Sequence, residues 1–276
     1  MRVGIGTYAL FWEWNERCPH PLGIEAMIDW AKELGCDVFQ ICDDPRIEDY
    51  DDQGLDAVAD RARSLDVELE LGTRGTGLEH LSAYVRRAQR LGVRLLRSMV
   101  QATEVAGGLE PVVDRLRRLV PVLEAADVTL ALETYEQVPT DDLVRVVRAV
   151  DSERVGICLD PANCVSALET PDSVMAKTSG LVTNLHVKDF AFTRNEGWVG
   201  FLYAGARLGE GLLDLDAEIQ AVYGDSGAGG SDPDRPSAVV EHWVPWQGDI
   251  ETTIALERSW TETAVRRLLD LRAAAR

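Results

Sequence analysis

Short apolar runs alternate along this chain with longer stretches whose apolar positions recur at helical spacing. The runs 128–136 (VTLALETYE), 155–160 (VGICLD), 182–186 (VTNLH) and 238–241 (AVVE) are rich in Val, Leu, Ile and Thr and alternate only weakly with polar residues. That pattern marks strands buried on both faces, as in a parallel sheet covered by helices. Each run closes on a side chain able to ligate a metal: Glu133, Asp160, His186 and Glu241. Four earlier runs, 2–9, 37–42, 67–72 and 94–100, read as further strands.

Between the strands the pattern predicts helices over 23–34 with Gly35 as its stop, over Leu55–Leu65, and over 78–91 with Gly92 as its stop. Further helices are expected at about 109–125, Asp141–Val150 with Thr140 as N-cap, 171–178, 214–223 and about 253–273. Pro121 predicts a kink or an early end in the 109–125 helix. A loop carrying Trp12, Trp14, Pro19 and Pro21 follows the first strand, and residues 190–208 read as a long irregular segment. The Gly-, Ser-, Asp- and Pro-rich stretch 224–237 reads as a flexible loop before the last strand. Strand and helix thus alternate eight times. Parallel strands joined by right-handed crossovers follow, and eight units close a barrel. The expected fold is an α/β (β/α)8 TIM barrel, a single domain over 1–276. An open doubly wound sheet is the competitor, but no G-x-G-x-x-G follows the first strand.

Composition narrows the function classes. A formal net charge of −19 opposes general binding to nucleic acid and docking on anionic membranes. Five scattered cysteines without a Cys-x-x-Cys fit a reducing, cytoplasmic setting better than a disulfide framework or a structural zinc site. The N-terminus has no signal-peptide pattern, and no apolar run approaches the ~20 residues of a membrane span.

The four strand ends carry the candidate chemistry. Glu133, Asp160 and His186 are 27 and 26 residues apart, and Glu241 follows 55 later. On strands five to eight of a barrel they would rise to one rim. A lone acid after a strand is more often a helix cap, and a lone histidine more often structural; four at successive strand ends point to one site. Three converging carboxylates would repel unless a cation joined them. Three hard oxygens and one imidazole suit a divalent ion, Mn²⁺ or Mg²⁺ first, with Zn²⁺ or Co²⁺ as alternatives.

These residues lie in motifs that resemble the xylose isomerase-like TIM barrels, in particular the sugar and sugar-phosphate isomerases/epimerases. The motifs are ELGTRG at 70–75, ALE at 131–133, CLDPAN at 158–163, HVKD at 186–189, GEGLLDL at 209–215 and VVEHW at 239–243. The resemblance implies that Glu133, Asp160, His186 and Glu241 bind one divalent metal and that Glu133 and Glu241 act as the catalytic acid–base pair. The position three after Asp160 is Asn163, where ketose 3-epimerases usually carry a histidine; this matches the sugar-phosphate branch instead. The implied reaction is proton transfer next to a carbonyl through an enediolate, with the metal as Lewis acid.

Other residues fill in the picture. Trp12, Asn163, Lys188, Arg207 and Trp243 are the candidate substrate-binding residues. Trp12, Trp14, Trp198, Trp243 and Trp246, with Phe190, Phe192, Phe201 and Tyr203, fall in rim segments and suit either a sugar face or a subunit contact. Arg74 and Arg97 are expected to neutralise Glu68 or Glu70 inside the barrel, Lys188 to pair with Asp189 or a neighbour if it is structural, and His242 to point away from the site. The alternative reading is a metal-dependent lyase of the same fold, an inosose-type dehydratase or a 3-oxo-glycoside-cleaving enzyme. An apurinic endonuclease would need a histidine-rich trinuclear zinc site, and this chain has four histidines. The partner is a small-molecule sugar or derivative, with no nucleic acid or membrane; homo-oligomers are common among relatives.

Overall fold

A computed structural model of the chain describes residues 1–224, 229 and 235–275. The strands are β1 (Arg2–Gly6), β2 (Val38–Ile41), β3 (Glu68–Gly72), β4 (Leu95–Ser98), β5 (Thr129–Glu133), β6 (Val155–Leu159), β7 (Val182–Val187), β8 (Phe190–Arg194), β9 (Phe201–Gly205) and β10 (Ser237–Val240). All but β8 and β9 form one closed parallel barrel in the order β1, β10, β7, β6, β5, β4, β3, β2. The helices are α1 (Phe11–Trp14), α2 (Ile24–Glu33), α3 (Asp52–Ser64), α4 (Leu78–Leu91), α5 (Ala102–Val105), α6 (Glu110–Ala126), α7 (Thr140–Val150), α8 (Pro161–Val165), α9 (Pro171–Thr178), α10 (Leu215–Tyr223) and α11 (Ile250–Ala274). The (β/α)8 fold expected from the alternation is the fold observed.

The main core lies between barrel and helices. Val3, Ile5, Phe39, Leu96, Leu130 and Ile157 from the strands meet Ile28, Val58, Leu81, Leu116, Leu143 and Leu268 from the helices, all buried. Each such side chain stabilises the fold by about 1.5–3 kcal/mol on burial.

Four local expectations change. Helix α6 runs unbroken through Pro121 to Ala126 instead of ending early. Pro121 and Arg117, whose carbonyl loses its helical partner, are both exposed, so water can take the orphaned bond. Thr140 is the first residue of α7, with Pro139 as cap; its hydroxyl donates to Glu169 at 2.8 Å. The loop after β1 contains a 3₁₀ turn at Thr7–Leu10 and helix α1. Residues 190–208 are not irregular: β8 and β9 pair as an antiparallel hairpin, Phe190 opposite Gly205 and Arg194 opposite Phe201. Gly197 and Gly200, at φ +74° and +82°, turn its tip. Residues 225–228 and 230–234, most of the expected 224–237 loop, lie outside the described residues.

Register sets how the strand ends meet. Glu133 pairs with Cys158, Cys158 with Asn184, Leu159 with Leu185, and His186 with Val239. Asp160 therefore stands two residues above the rung of Glu133, beside His186, and Glu241 two above that. The four positions therefore do not lie on a single rung. Closed barrels stagger by roughly one residue per strand, and strand tilt brings such a diagonal to one level. A register shift between β6 and β7 contributes: Ile157 pairs with Val182, but Cys158 with Asn184, leaving Thr183 unpaired as a bulge. Gly156 makes room for it, because a Cβ there would lie 2.4 Å from Thr183 Cγ2.

Candidate metal centre and active site

Glu133 ends β5, Asp160 follows β6, His186 lies in β7 and Glu241 follows β10. All four are at most 2 % exposed. Each offers one ligand atom, and the four atoms lie within 4.8 Å of one another. His186 Nδ1 is 3.7 Å from Glu133 Oε1, 3.7 Å from Asp160 Oδ2 and 3.5 Å from Glu241 Oε2. Donors around one small divalent ion stand about 3–4.5 Å apart, given bond lengths of roughly 2.0–2.3 Å.

The imidazole is oriented from below. His186 Nε2 stands 2.9 Å from Gln40 Oε1, whose amide nitrogen donates to Glu70 at 3.0 Å and Asn184 at 3.1 Å. With its nitrogen so committed, Gln40 presents its oxygen to Nε2–H and leaves the Nδ1 lone pair facing the carboxylates. Nδ1 and Glu241 Oε1 are buried without a hydrogen-bond partner. Burial alone would lower the His186 pKa; Cys158 and the Glu241 and Glu133 carboxylates reverse that and hold it well above the usual imidazole range. Positive charge is thus called for at Nδ1, from a proton or a metal ion. Cys158 also lies within reach of Glu133 and His186. Burial pushes its thiol up to about 12, and it donates to Asn184 Oδ1, so it stays a thiol. The donor set is therefore three hard oxygens and an imidazole, which fits a divalent cation.

Around this cradle the carboxylates are unequally engaged. Glu133 Oε1 accepts a 2.6 Å bond from Asn163 Nδ2, and Oε2 is ion-paired with the Arg97 guanidinium. Lys188 Nζ reaches Asp160 Oδ2 at 2.7 Å, Glu241 Oε2 at 3.1 Å and Asn163 Oδ1 at 3.3 Å, and sits 4.5 Å from the centroid of the Trp243 ring. Burial lowers the pKa of Lys188, but Asp160 and Glu241 outweigh this and raise it. Glu241 is held below the carboxylate range: burial opposes this, and His186 and Lys188 prevail.

Several sequence assignments are redirected. Arg97 and Arg74 do not neutralise Glu68 or Glu70. Arg97 pairs with Asp43 at 3.1 Å and with Glu133, and Arg74 with Asp43 at 3.0 Å. Glu68 is taken by Arg2, and Glu70 by Ser237, Gln40 and Asn184. Lys188 does not pair with Asp189, whose carboxylate instead accepts four backbone N–H groups, from Phe190, Gly209, Gly211 and Leu213. Arg207 donates to Ser259 and lies 3.9 Å from Glu210, neither of them in the cluster.

Asn163, Lys188 and Trp243 are brought to the four-residue cluster, whereas Trp12 packs on Trp246 and donates its indole N–H to the Val244 carbonyl at the rim. His242 points away, edge-on to Trp260. The hairpin places Tyr203 against Trp243, while Phe192, Trp198 and Phe201 remain at least half exposed. The sequence reading missed Gln40, Asp43, Tyr8 and the Arg97–Glu133 pair. The inward parity of Gln40 and Glu70 was the available signal.

A family model described as xylose isomerase-like TIM barrel matches residues 28–243. The chain is 44% identical over 97% of its length to the 3-oxo-isoapionate decarboxylase of Pectobacterium atrosepticum, covering 95% of that protein. Among solved structures, it superposes on the D-psicose 3-epimerase of Clostridium cellulolyticum H10 with a TM-score of 0.71 and 17% identity, covering 100% of this chain and 99% of the other. It superposes equally, with a TM-score of 0.71 and 19% identity, on an IOLI protein with a bound zinc atom, covering 97% of this chain and 99% of that one. At those identities the structures share the fold alone. By its family match and its 44% relative, the chain belongs to the xylose isomerase-like TIM barrels.

Proposed function

We propose that this chain is a metal-dependent lyase that decarboxylates a 3-oxo sugar acid. The supporting relative is the decarboxylase at 44% identity. The observation that carries the reading is the inequality of the two glutamates. An epimerase of the kind first expected needs one group to take a proton and a second to return one. Here Glu133 accepts from Asn163 through Oε1 and is ion-paired with Arg97 through Oε2, whereas Glu241 is ion-paired through Oε2 alone, with Lys188. Decarboxylation abstracts no proton from carbon and needs only one delivered. The bond between the carboxyl carbon and its neighbour breaks, its electron pair moves toward the adjacent oxo group, and CO₂ leaves. Protonation of that carbon completes a neutral ketone. Lys188 Nζ, beside Glu241 Oε2, is the proton-bearing group we assign to this step. Glu133, Asp160, His186 and Glu241 would hold the ion, Mn²⁺ or Mg²⁺ by donor type. A divalent ion there supplies Lewis-acid stabilisation of charge developing on the substrate's oxo oxygen.

The test is incubation of Mn²⁺-loaded protein with 3-oxo-isoapionate and, separately, with free ketoses in deuterated buffer. CO₂ release from the first with single deuterium incorporation is expected. Deuterium exchange and new stereochemistry in ketoses, without CO₂ from the oxo acid, would return the reading to epimerisation.

A further inference from the structure

The strand ends opposite the cradle hold a second, cationic constellation. Asp43, just after β2, binds Arg97 at 3.1 Å through Oδ1 and Arg74 at 3.0 Å through Oδ2. Arg97 passes on to Glu133 and donates to the Thr73 carbonyl, so its two terminal nitrogens are committed within the protein. Arg74 differs. Its Nε goes to Asp43 and its NH2 to the Tyr8 hydroxyl at 2.8 Å, while NH1 has no protein partner among the described residues. Its side chain is 52% exposed. A guanidinium fixed on one edge and open on the other is prepared for an anion.

The position suits the site. Tyr8 follows β1 and Arg74 follows β3, at the same strand ends that carry the cradle, and Arg74 is tied through Asp43 and Arg97 to Glu133. Arg74 therefore stands over the same mouth as the ligands. The linked ion pairs also leave a charge to fill. Arg74, Asp43, Arg97 and Glu133 on one side and Lys188, Asp160 and Glu241 on the other comprise three cations and four carboxylates. With a divalent ion in the cradle, the network is one positive charge in excess. A neutral ketose would leave that excess uncompensated, and a monocarboxylate would neutralise it.

We infer that Arg74, presented by Asp43 and Tyr8, is the residue that recognises the carboxylate of the substrate, making this site selective for sugar acids over neutral sugars. The inference rests on the decarboxylase reading for its role in turnover, but recognition can be measured without turnover. Because the ion itself attracts carboxylates, the arginine is isolated by comparing variants that keep the ion.

The experiment is calorimetric titration of the Mn²⁺-loaded protein with threonate, a four-carbon sugar acid that has no oxo group to react, and with threitol, its uncharged counterpart. Wild type is expected to prefer threonate at least tenfold over the preference shown by Arg74→Gln, with Arg74→Lys in between and Tyr8→Phe losing a few-fold. In decarboxylation assays Arg74→Gln should raise KM more than it lowers kcat. Thermal melting of each variant, with and without Mn²⁺, reports that fold and ion binding persist. An Arg74→Gln protein that keeps the full threonate preference overturns the inference, even if the wild type releases CO₂. A wild type that releases no CO₂ from a 3-oxo acid but keeps an Arg74-dependent threonate preference overturns the decarboxylase reading and leaves the recognition standing.

Discussion

Two clusters of buried polar side chains occupy successive levels of the same barrel, and they differ in how they are satisfied. In the lower one, Glu70 accepts from Ser237, Gln40 and Asn184, and Asn184 donates onward to Ser237 at 2.8 Å. Every member has its partner within the chain. In the upper one, His186 Nδ1 faces oxygens of Glu133, Asp160 and Glu241 without a hydrogen-bond partner, and Glu241 Oε1 is likewise buried and unpartnered. A closed network contributes to folding; one that stays open at full burial is the arrangement that a bound ion or a retained proton would complete. Gln40 joins the two, since it takes part in the lower network and orients the histidine of the upper.

The sharpest break of this contrast is removal of an upper donor. Asp160→Asn or His186→Ala should abolish Mn²⁺ binding in calorimetry and lower turnover about 10³-fold or more, the equivalent of several kcal/mol of Lewis-acid stabilisation. Unchanged Mn²⁺ affinity in both variants would deprive the upper cluster of its assigned purpose. Next comes the lower cluster: Glu70→Ala strands the donors of Ser237, Gln40 and Asn184, each costing about 1–3 kcal/mol when buried unpaired. Urea unfolding should show a loss of roughly 3 kcal/mol or more. Gln40→Leu tests the link, with Mn²⁺ affinity expected to fall about 10–100-fold while circular dichroism stays native. Retention of full affinity would mean the histidine is oriented by its packing alone.

A third buried carboxyl sharpens the comparison with the smallest effect. Glu218 in α10 is fully buried, and neither of its oxygens has a hydrogen-bond partner among the described residues. Burial first, then Asp160 and Asp189, raise its pKa well above the carboxylate value, with His186 opposing. This carboxyl is relieved by holding its own proton. The folded state then keeps a proton that the unfolded chain releases above about pH 4.5. Stability is fully present below that pH and falls as pH rises toward the folded pKa, by about 1.4 kcal/mol per unit. Glu218→Gln should remove this slope, so its urea midpoint should gain on wild type between pH 5 and 7. Parallel curves would show that Glu218 is ionised in the folded protein.

How much of this was legible in the chain follows from what strand patterns encode. An apolar run ending on an acid or histidine announces both a buried strand and a side chain at its mouth, so Glu133, Asp160, His186 and Glu241 could be grouped from the sequence alone. Alternation states which face a residue takes, not which residue meets it across a barrel. Arg97 could be placed inside, but its pairing with Glu133 on the neighbouring strand, in preference to Glu68 or Glu70, depends on stagger. The β8–β9 hairpin was hidden for another reason. Its outer positions carry Phe, Trp and Leu in place of polar residues, so the two-residue alternation of a half-exposed ribbon is blurred. Pro121 misled because its consequence depends on whether water reaches the carbonyl one turn back.

The bulge at Thr183 has a consequence of its own. Above it, Asp160 and His186 are in phase, both turned into the barrel. Below it, Ile157 and Val182 are in phase on the outside. Deleting Thr183 would leave Val182 beside Ile157 and Asn184 beside Cys158 in an unbroken ladder, with His186 still turned inward. Strand β7 thus carries one residue more than the alternation requires, and the loss of that residue is the one shortening of β7 that the centre is built to tolerate.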